Sequence, residues 1–465
     1  MGNLVVYKSK DELLAKAKTA IGHTIGEYNV NNRNLTFSNK GVIGQIIEEG
    51  LFGYEINSRA EPDFAKLGVE LKVTGLKKLK DNSLVAKERL VLNIIDYFKE
   101  ADSDFLNSSF WRKNKSLLLM FYYYQDQIPP EQYRILDSLL YEYPDEDLKI
   151  IMDDWLYINK MIREGKAHLI SEADTFYLAA CTKGANGEAV RIQPYSKELA
   201  KQRAFCLKAS YINNIINKYL GGFNVNNIFV YDEIKDRTFD SAVLVTCKPY
   251  IGKTEKELRN MFSLSESNPK NIFELLSARM LDIKGKINDC DEFRKANVNA
   301  KFIRVEENGR VVESMSFPNF KFTEIVNQEW ENSDLRNMFY ETKYIFFVFA
   351  KKDGDYCFSK VLFWNMPIEI LDTEVKSVWE KTKNVIKEGN IVQYISKPNK
   401  SGKCLVKTNF PGMKENKVCH VRPHARDASD TYPLPVPDKI TGQLSYTKQC
   451  FWLGNDYIKE IIKNG

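Results

Sequence analysis

Among the eight cysteines there is no Cys-x-x-Cys pair: Cys181, Cys206, Cys247, Cys290, Cys357, Cys404, Cys419 and Cys450 are scattered. That scatter excludes a zinc ribbon and a disulfide framework, and it predicts reduced, partly buried thiols in a cytosolic protein. Long apolar runs are also missing. The longest, Leu117 to Tyr124, is far too short to span a bilayer, and Met1 to Asp11 carries no apolar segment of the secretory kind. The expectation is therefore a soluble, cytoplasmic protein with no membrane association. Nor is there a large excess of one charge. The net charge of +5 permits a polyanionic partner without demanding one. Short basic groups such as Lys77-Lys78-x-Lys80, Arg112-Lys113-x-Lys115 and Lys201-x-Arg203 fall in the first half, and each equally suits a solvated surface.

What is present is a globular composition, with 43% hydrophobic, 28% charged and 12% aromatic residues, which argues against disorder and against a coiled coil. At 465 residues the chain is long for one domain and ample for two cores. The stretch Glu61 to Thr74 carries the most chemistry. Val69, Leu71 and Val73 alternate with Glu70, Lys72 and Thr74, so a strand would point its apolar set at a core and set Glu70 and Lys72 on the opposite, solvent face. Asp63 precedes that strand. Pro62 stiffens the approach and Gly68 allows a bend, so a turn could bring the Asp63 carboxylate beside that of Glu70. Two hard oxygen donors suit Mg²⁺, which keeps several waters and can deliver one to a phosphodiester, while Lys72 would hold that water or face the charge developing on phosphorus. The same residues also suit an ordinary half-exposed strand.

Further elements surround this stretch. Residues 11 to 22 read as an amphipathic helix with Asp11 at its start and Gly22 at its end. After Gly41, Ile43, Ile46, Ile47 and Leu51 share a helical face with Glu48 at its edge, a position from which Glu48 reaches the strand's carboxylates or simply stays in solvent. Leu90 to Ile95 is a buried strand or helix, Leu117 to Tyr122 a central strand with Arg112 and Lys113 at its mouth, and Glu131 to Lys166 is predominantly helical. Phe176 to Cys181 is a strand running into the glycine-rich loop Lys183 to Gly187. Alternating helices and short buried strands imply an α/β fold with a mixed sheet flanked by helices.

An internal repeat organises the whole chain. Phe205-x-Leu207-x-x-x-Tyr211-Ile212-x-x-Ile215-Ile216 returns as Phe451-x-Leu453-x-x-x-Tyr457-Ile458-x-x-Ile461-Ile462 with identical spacing. Phe64, Lys66, Val69 and Lys72 are echoed by Phe293, Lys295, Val298 and Lys301, and Leu117 to Met120 by Phe346 to Phe349. Two copies of one domain are expected: residues 1–225 catalytic, 226–252 a linker, and 253–465 a degenerate copy. In that second copy Glu292 stands for Asp63, Asn299 for Glu70, and Ser277 lies near the place of Glu48.

With these stretches assembled, the chain resembles the MutH family of GATC-specific endonucleases, and within it the restriction-enzyme branch built of two MutH-like halves. The residues carrying the likeness include Gly22-His23-Thr24-Ile25-Gly26-Glu27, Gly44-Gln45-Ile46-Ile47-Glu48, Asp63-Phe64-Ala65, Leu67-Gly68-Val69-Glu70-Leu71-Lys72, Cys419-His420-Val421-Arg422-Pro423-His424 and Trp452-Leu453-x-Asn455-Asp456-Tyr457. The resemblance implies two tandem PD-(D/E)xK nuclease-like domains, Mg²⁺-dependent cleavage of double-stranded DNA at GATC, and a restriction-modification context with a companion DNA methyltransferase. It implies Asp63 and Glu70 as metal ligands, Lys72 beside the attacking water, Glu48 assisting metal binding, and Lys113 as a further active-site lysine. Arg191 and Lys208 are then candidate DNA contacts. Arg422 opens a loop similar to the family's Arg-Pro-Lys run, with His424 in that run, whereas the first half has Cys181-Thr182-Lys183 instead. Arginine suits guanine and asparagine suits adenine, which makes Arg422 and Asn186 candidate base readers and Lys183 a phosphate contact. His420 and His424, with no third ligand nearby, read as packing or phosphate-facing residues. A second half that binds DNA without cutting would act as an allosteric effector, and the two-fold target invites a monomer that dimerises on DNA. A DNA-repair nickase and a DNA-binding protein without catalysis are the competing readings.

Overall fold

The computed structural model describes residues 7–36, 41–54, 56, 60–183, 189–221, 236–264, 271–312, 314–397 and 406–465. The chain forms two compact units: Met1–Phe239 with Asp289–Asn297, and Asp240–Asn288 with Val298–Gly465. Within the stretch 226–252 expected as a linker, Phe239–Cys247 is helical.

In the first unit the strands are β1 (Glu70–Lys78), β2 (Leu84–Ala86), β3 (Leu90–Ile94), β4 (Ser116–Tyr123), β5 (Ile135–Glu142), β6 (Leu178–Thr182), β7 (Val190–Arg191), β8 (Ala200–Lys201) and β9 (Arg203–Leu207). Its principal helices are α1 (Lys10–Lys18), α2 (Gly41–Gly50), α3 (Tyr97–Ala101), α4 (Ser109–Asn114), α5 (Asp145–Arg163) and α6 (Ala209–Tyr219). The main sheet runs β2-β1-β4-β5, with β1 and β4 parallel and the outer pairings antiparallel. β4 is fully buried along Ser116 to Tyr122, as its near-continuous apolar run requires of a central strand. A second sheet, β3-β9-β6, is antiparallel throughout. One core cluster joins Leu13 and Ala17 of α1, Ile43, Ile46 and Ile47 of α2, Val69 and Leu71, and Leu118 and Met120. Each fully buried aliphatic there contributes about 1.5 to 3 kcal/mol.

Two expectations change, and one open alternative is resolved. Ser9, whose side chain accepts from Glu12 N, caps α1 in place of Asp11. The run 131–166 divides: Ile135–Glu142 pairs antiparallel with β4, and α5 starts only after Pro144, whose fixed φ and missing N–H suit a helix start and not its interior. Leu90 to Ile94 is a strand.

The second unit repeats this plan. Val298–Val305 lies parallel to Lys343–Lys352, which pairs antiparallel with Asp355–Trp364, and Met315–Phe320, Gln449–Leu453 and Cys419–Pro423 form an antiparallel sheet with Gln449–Leu453 in the middle. The strand that carries the Phe-x-Leu part of each repeated motif is the centre of its sheet, and the helix that carries the Tyr-Ile part, α6 or Asn455–Asn464, buries Tyr211, Ile212 and Ile215 or Tyr457, Ile458 and Ile461. Register corrects one equivalence. Lys72 pairs with Leu119 and Lys301 with Phe346, so Leu117 to Met120 corresponds to Tyr344 to Phe347, two residues earlier than expected. The connection between the two paired strands is shorter in the second copy, 346 − 301 = 45 positions from Lys301 to Phe346 against 119 − 72 = 47 from Lys72 to Leu119, even though its helix Asp334–Glu341 is longer than α4.

Candidate active site

Phe64 and Val69 form an isolated antiparallel bridge, closing a short turn in which Gly68 takes a φ of +65°, open to glycine at little cost. The turn folds Asp63 back onto the start of β1. Leu71 N donates to Asp63 Oδ2 at 3.0 Å, and Asp63 N donates to Glu70 Oε2 at 3.1 Å, so the two carboxylates are held together by the backbone. Lys72 Nζ donates to Glu70 Oε1 at 2.8 Å and to the Leu92 carbonyl of β3 at 3.0 Å. Lys113, from α4, places its Nζ 3.5 Å from the same Glu70 oxygen.

Glu48, on α2, completes the cluster. Burial and the charges of Asp63 and Glu70 raise its carboxyl to about 7, with Lys72 and Lys113 pulling the other way. Burial and Glu70 raise Asp63 to about 6, against the Leu71 hydrogen bond and the same two lysines. Three carboxylates thus share one electrostatic site with two ammonium groups. The donor set is hard oxygen with no thiol or imidazole, and repulsion among its carboxylates is what a hard dication relieves, so the residues fit a hard divalent cation. Among the described residues no three His, Cys, Asp or Glu side chains are gathered into a complete metal cage.

The solvent-face expectation for Glu70 and Lys72 is overturned. Glu70 is only 2% exposed, and Lys72 is half-buried beneath β3, because the second sheet covers the face that alternation alone assigned to water. Leu92 was not foreseen as a partner, since a backbone carbonyl leaves no side-chain pattern in a sequence. Tyr54 was missed as well: it packs on Phe64 with ring centroids 5.1 Å apart and feels the Asp63 charge, yet no spacing rule links it to the turn.

The candidate DNA contacts divide. Lys183 is half-buried at the end of β6, its N–H bonded to Gln202 O at 2.7 Å, and Arg191 is exposed on the β7–β8 hairpin. Asn186 lies outside the described residues. Lys208 is corrected to a structural residue: it is 4% exposed and donates to the carbonyls of Thr175 at 2.6 Å and Ala296 at 3.2 Å. Its positive charge faces Asp154, which accepts from the N–H groups of Phe176, Tyr177 and Leu178. Arg203, the last of the basic groups, is likewise fully buried.

In the second unit Arg422 and His424 are exposed around Trp452: the guanidinium lies 4.9 Å from the indole and the imidazole meets it edge-on at 5.5 Å. Cys450 is the partner of Arg422, as Ala204 is of Cys181, so Arg422 and Cys181 take equivalent strand positions. His420 is buried, with no hydrogen-bond partner on either ring nitrogen. At the positions of the second sequence copy, of which Glu292 belongs to the first unit, the carboxylate cluster is gone. Ser277 is buried against Phe273 O, Glu292 accepts from Cys290 Sγ at 3.0 Å, Asn299 replaces Glu70, and Lys301 stands 5.9 Å from the Phe317 ring.

The family described as DNA mismatch repair enzyme MutH matches residues 52–154, which contain Asp63, Glu70, Lys72 and Lys113. The chain is 37% identical to the type II restriction enzyme Sau3AI of Staphylococcus aureus, over 98% of this chain and 99% of that protein. It is 28% identical to the DNA mismatch repair protein MutH of Shewanella woodyi, over 46% of this chain and 94% of that protein. The corresponding MutH of Shigella flexneri serotype 5b is 28% identical over 46% of this chain and 93% of its own length.

Proposed function

The chain belongs to the family of type II restriction enzymes represented by Sau3AI, a site-specific DNA nuclease with a MutH nuclease-like fold, and from that premise we propose that it cuts at GATC by magnesium-dependent hydrolysis centred in the first unit. The observation that carries the reading is the convergence of Glu48, Asp63, Glu70 and Lys72 around one turn, with the carboxyls of Glu48 and Asp63 raised by burial and by neighbouring carboxylates. Asp63 and Glu70 would hold the ion, with Glu48 assisting from α2. When bound, a magnesium ion supplies an acidic water and neutralises phosphate charge.

The chain's own groups do the rest. Lys72, fixed between Glu70 Oε1 and Leu92 O, is oriented before substrate arrives, so its ammonium can face the attacking water and the charge growing on the phosphoryl oxygens without reorganising. Lys113 adds a second positive charge at Glu70. The β3 strand over Lys72 limits water access and strengthens each of these interactions. Lys183, Arg191 and Asn186 are the candidate DNA contacts of this unit. Arg422 and His424 would bind a further GATC site in the second unit, which lacks the carboxylates to cut it. The enzyme would act as a monomer that dimerises on DNA, in the cytoplasm, beside a DNA methyltransferase that protects the same sequence.

Digestion of defined duplexes, methylated and unmethylated, with sequencing of the ends tests this reading. The expected result is double-strand breaks at GATC that need Mg²⁺. Nicks alone would favour a repair nickase, and binding without any cut would favour a non-catalytic DNA-binding protein.

A further inference from the structure

Between β3 and α4 of the first unit runs a chain of amide and hydroxyl groups centred on Asn93. Asn93 follows Leu92, whose carbonyl accepts from Lys72 Nζ at 3.0 Å. Its Nδ2 donates to Ser109 Oγ at 3.0 Å, and its Oδ1 accepts from Asn114 Nδ2 at 2.8 Å. Ser109 and Asn114 are the first and last residues of α4, so one side chain grips both ends of that helix. Lys113, beside Asn114 in the last turn, is the lysine whose Nζ lies 3.5 Å from Glu70 Oε1. Ser109 Oγ in turn donates to Glu100 Oε2 at 2.7 Å, which ties the chain to α3. Regular pairing of β3 with β9 is interrupted between Val91 and Ile94, so the sheet ladder alone does not fix the Leu92 carbonyl.

The second copy shows that the fold does not need this chain of bonds. Leu90 and Ile94 pair with Leu207 and Ala204 as Met315 and Asn319 pair with Leu453 and Cys450, with the same interruption between them. α3 starts at Tyr97 and its counterpart at Phe322, while Ser108 and Ser333 cap the next helices. Counted from these landmarks, Pro318 takes the position of Asn93, Ile325 that of Glu100, Asp334 that of Ser109, Met338 that of Lys113 and Phe339 that of Asn114. The same strand and helix form there, with the capping serine kept and every member of the polar chain replaced. The bonds persist only in the copy that keeps Asp63, Glu70 and Lys72.

We propose that Asn93 is the positioning residue of the two active-site lysines. It joins the strand residue that anchors Lys72 to the helix that carries Lys113, and so holds both ammonium groups against Glu70 in one geometry; without it, β3 and α4 settle independently. The inference rests on the reading of the first unit as the cutting centre. Catalytic groups need to be held to within about 0.5 Å, and a displacement of about 1 Å from a distant substitution costs on the order of 10²-fold in rate.

The test measures single-turnover cleavage of a GATC duplex by the full-length protein at saturating enzyme with Mg²⁺, beside DNA affinity by gel shift without Mg²⁺. Asn93→Leu should lower the rate roughly 10- to 100-fold and leave affinity unchanged. Asn114→Leu removes the same link from the helix side and should repeat that split. Combined with Lys113→Met, Asn93→Leu should fall short of the product of the two single losses by roughly 5-fold or more, as coupled residues do, whereas a loss of folded protein alone would multiply. Wild-type rates in Asn93→Leu and Asn114→Leu, beside a loss in Lys72→Met, would overturn the inference and leave the cutting centre in place. A fully multiplicative combination with Lys113→Met, or a weakened affinity that accounts for the slower cutting, would overturn it too. Undiminished cutting by Lys72→Met would strike the reading on which it rests.

Discussion

Lys72 and Glu70 act as one unit, so the informative substitutions preserve shape. Glu70→Gln or Lys72→Met should lower cleavage on the order of 10²-fold or more at saturating DNA, as loss of a preorganised electrostatic group does, while DNA binding measured by gel shift persists. Glu70→Ala is a poorer choice, since it removes the carboxylate that holds both Lys72 and Lys113. Lys208 behaves in the opposite way. Lys208→Met should destabilise the first unit by roughly 3 kcal/mol, because Asp154 loses its buried countercharge, and should leave DNA affinity unchanged in whatever fraction stays folded. A urea midpoint beside a binding isotherm separates the two effects. At His420, burial and the neighbouring Arg422 lower the imidazole to about 4 from an ordinary 6.5. The folded state then binds fewer protons than the unfolded one, so this contribution is intact above pH about 6.5 and is lost as pH falls toward 4, at most about 3 kcal/mol. His420→Leu should flatten the stability of the second unit across that range, as read by thermal melts at successive pH values. The clustering of Asp63, Glu70 and Lys72 was legible because a short stretch of chain ties them to one another. Lys208 was not, because burial of a lysine depends on carbonyls contributed by Thr175 and Ala296, far away in sequence.

At the scale of elements, the turn before β1 sets the geometry of the site. Gly68 has a φ of +65°, and an added Cβ would lie 3.3 Å from Lys115 Cε, a flexible neighbour that can yield. Strain in Gly68→Ala therefore comes from the backbone and should cost about 1 to 3 kcal/mol, with a cleavage loss larger than the stability loss predicts, since Asp63 is held by the Leu71 N–H across that turn. Activity at saturating DNA, compared with the denaturation midpoint, checks this. Period-two alternation located β1 but misjudged its outer face, because alternation reports one apolar face and says nothing of a second sheet that covers polar side chains through a backbone carbonyl. Likewise Ile135–Glu142 looked helical in sequence and became a strand, its place fixed by pairing with β4.

At the scale of the whole molecule, the repeat was readable from the Phe-x-Leu…Tyr-Ile spacing, and the loss of carboxylates in the second copy from single positions. The register between strands was not, since the connection between the paired strands is shorter by two residues in the second copy and no residue pattern marks where they are lost. If the second unit binds GATC as an effector, substrates with two sites should be cut faster than those with one, roughly 5- to 150-fold for a coupling of about 1 to 3 kcal/mol, and Arg422→Ala should remove the stimulation without touching basal cutting. Equal rates on both substrates at every DNA concentration would contradict that role. The most direct measurement compares Lys72→Ala with Lys301→Ala, equivalent lysines of the two copies, in magnesium-dependent cleavage of a plasmid carrying GATC sites. A single catalytic centre in the first unit predicts linear DNA from Lys301→Ala at the wild-type rate and almost none from Lys72→Ala; wild-type cutting by Lys72→Ala, or its loss in a folded, DNA-binding Lys301→Ala, would contradict it.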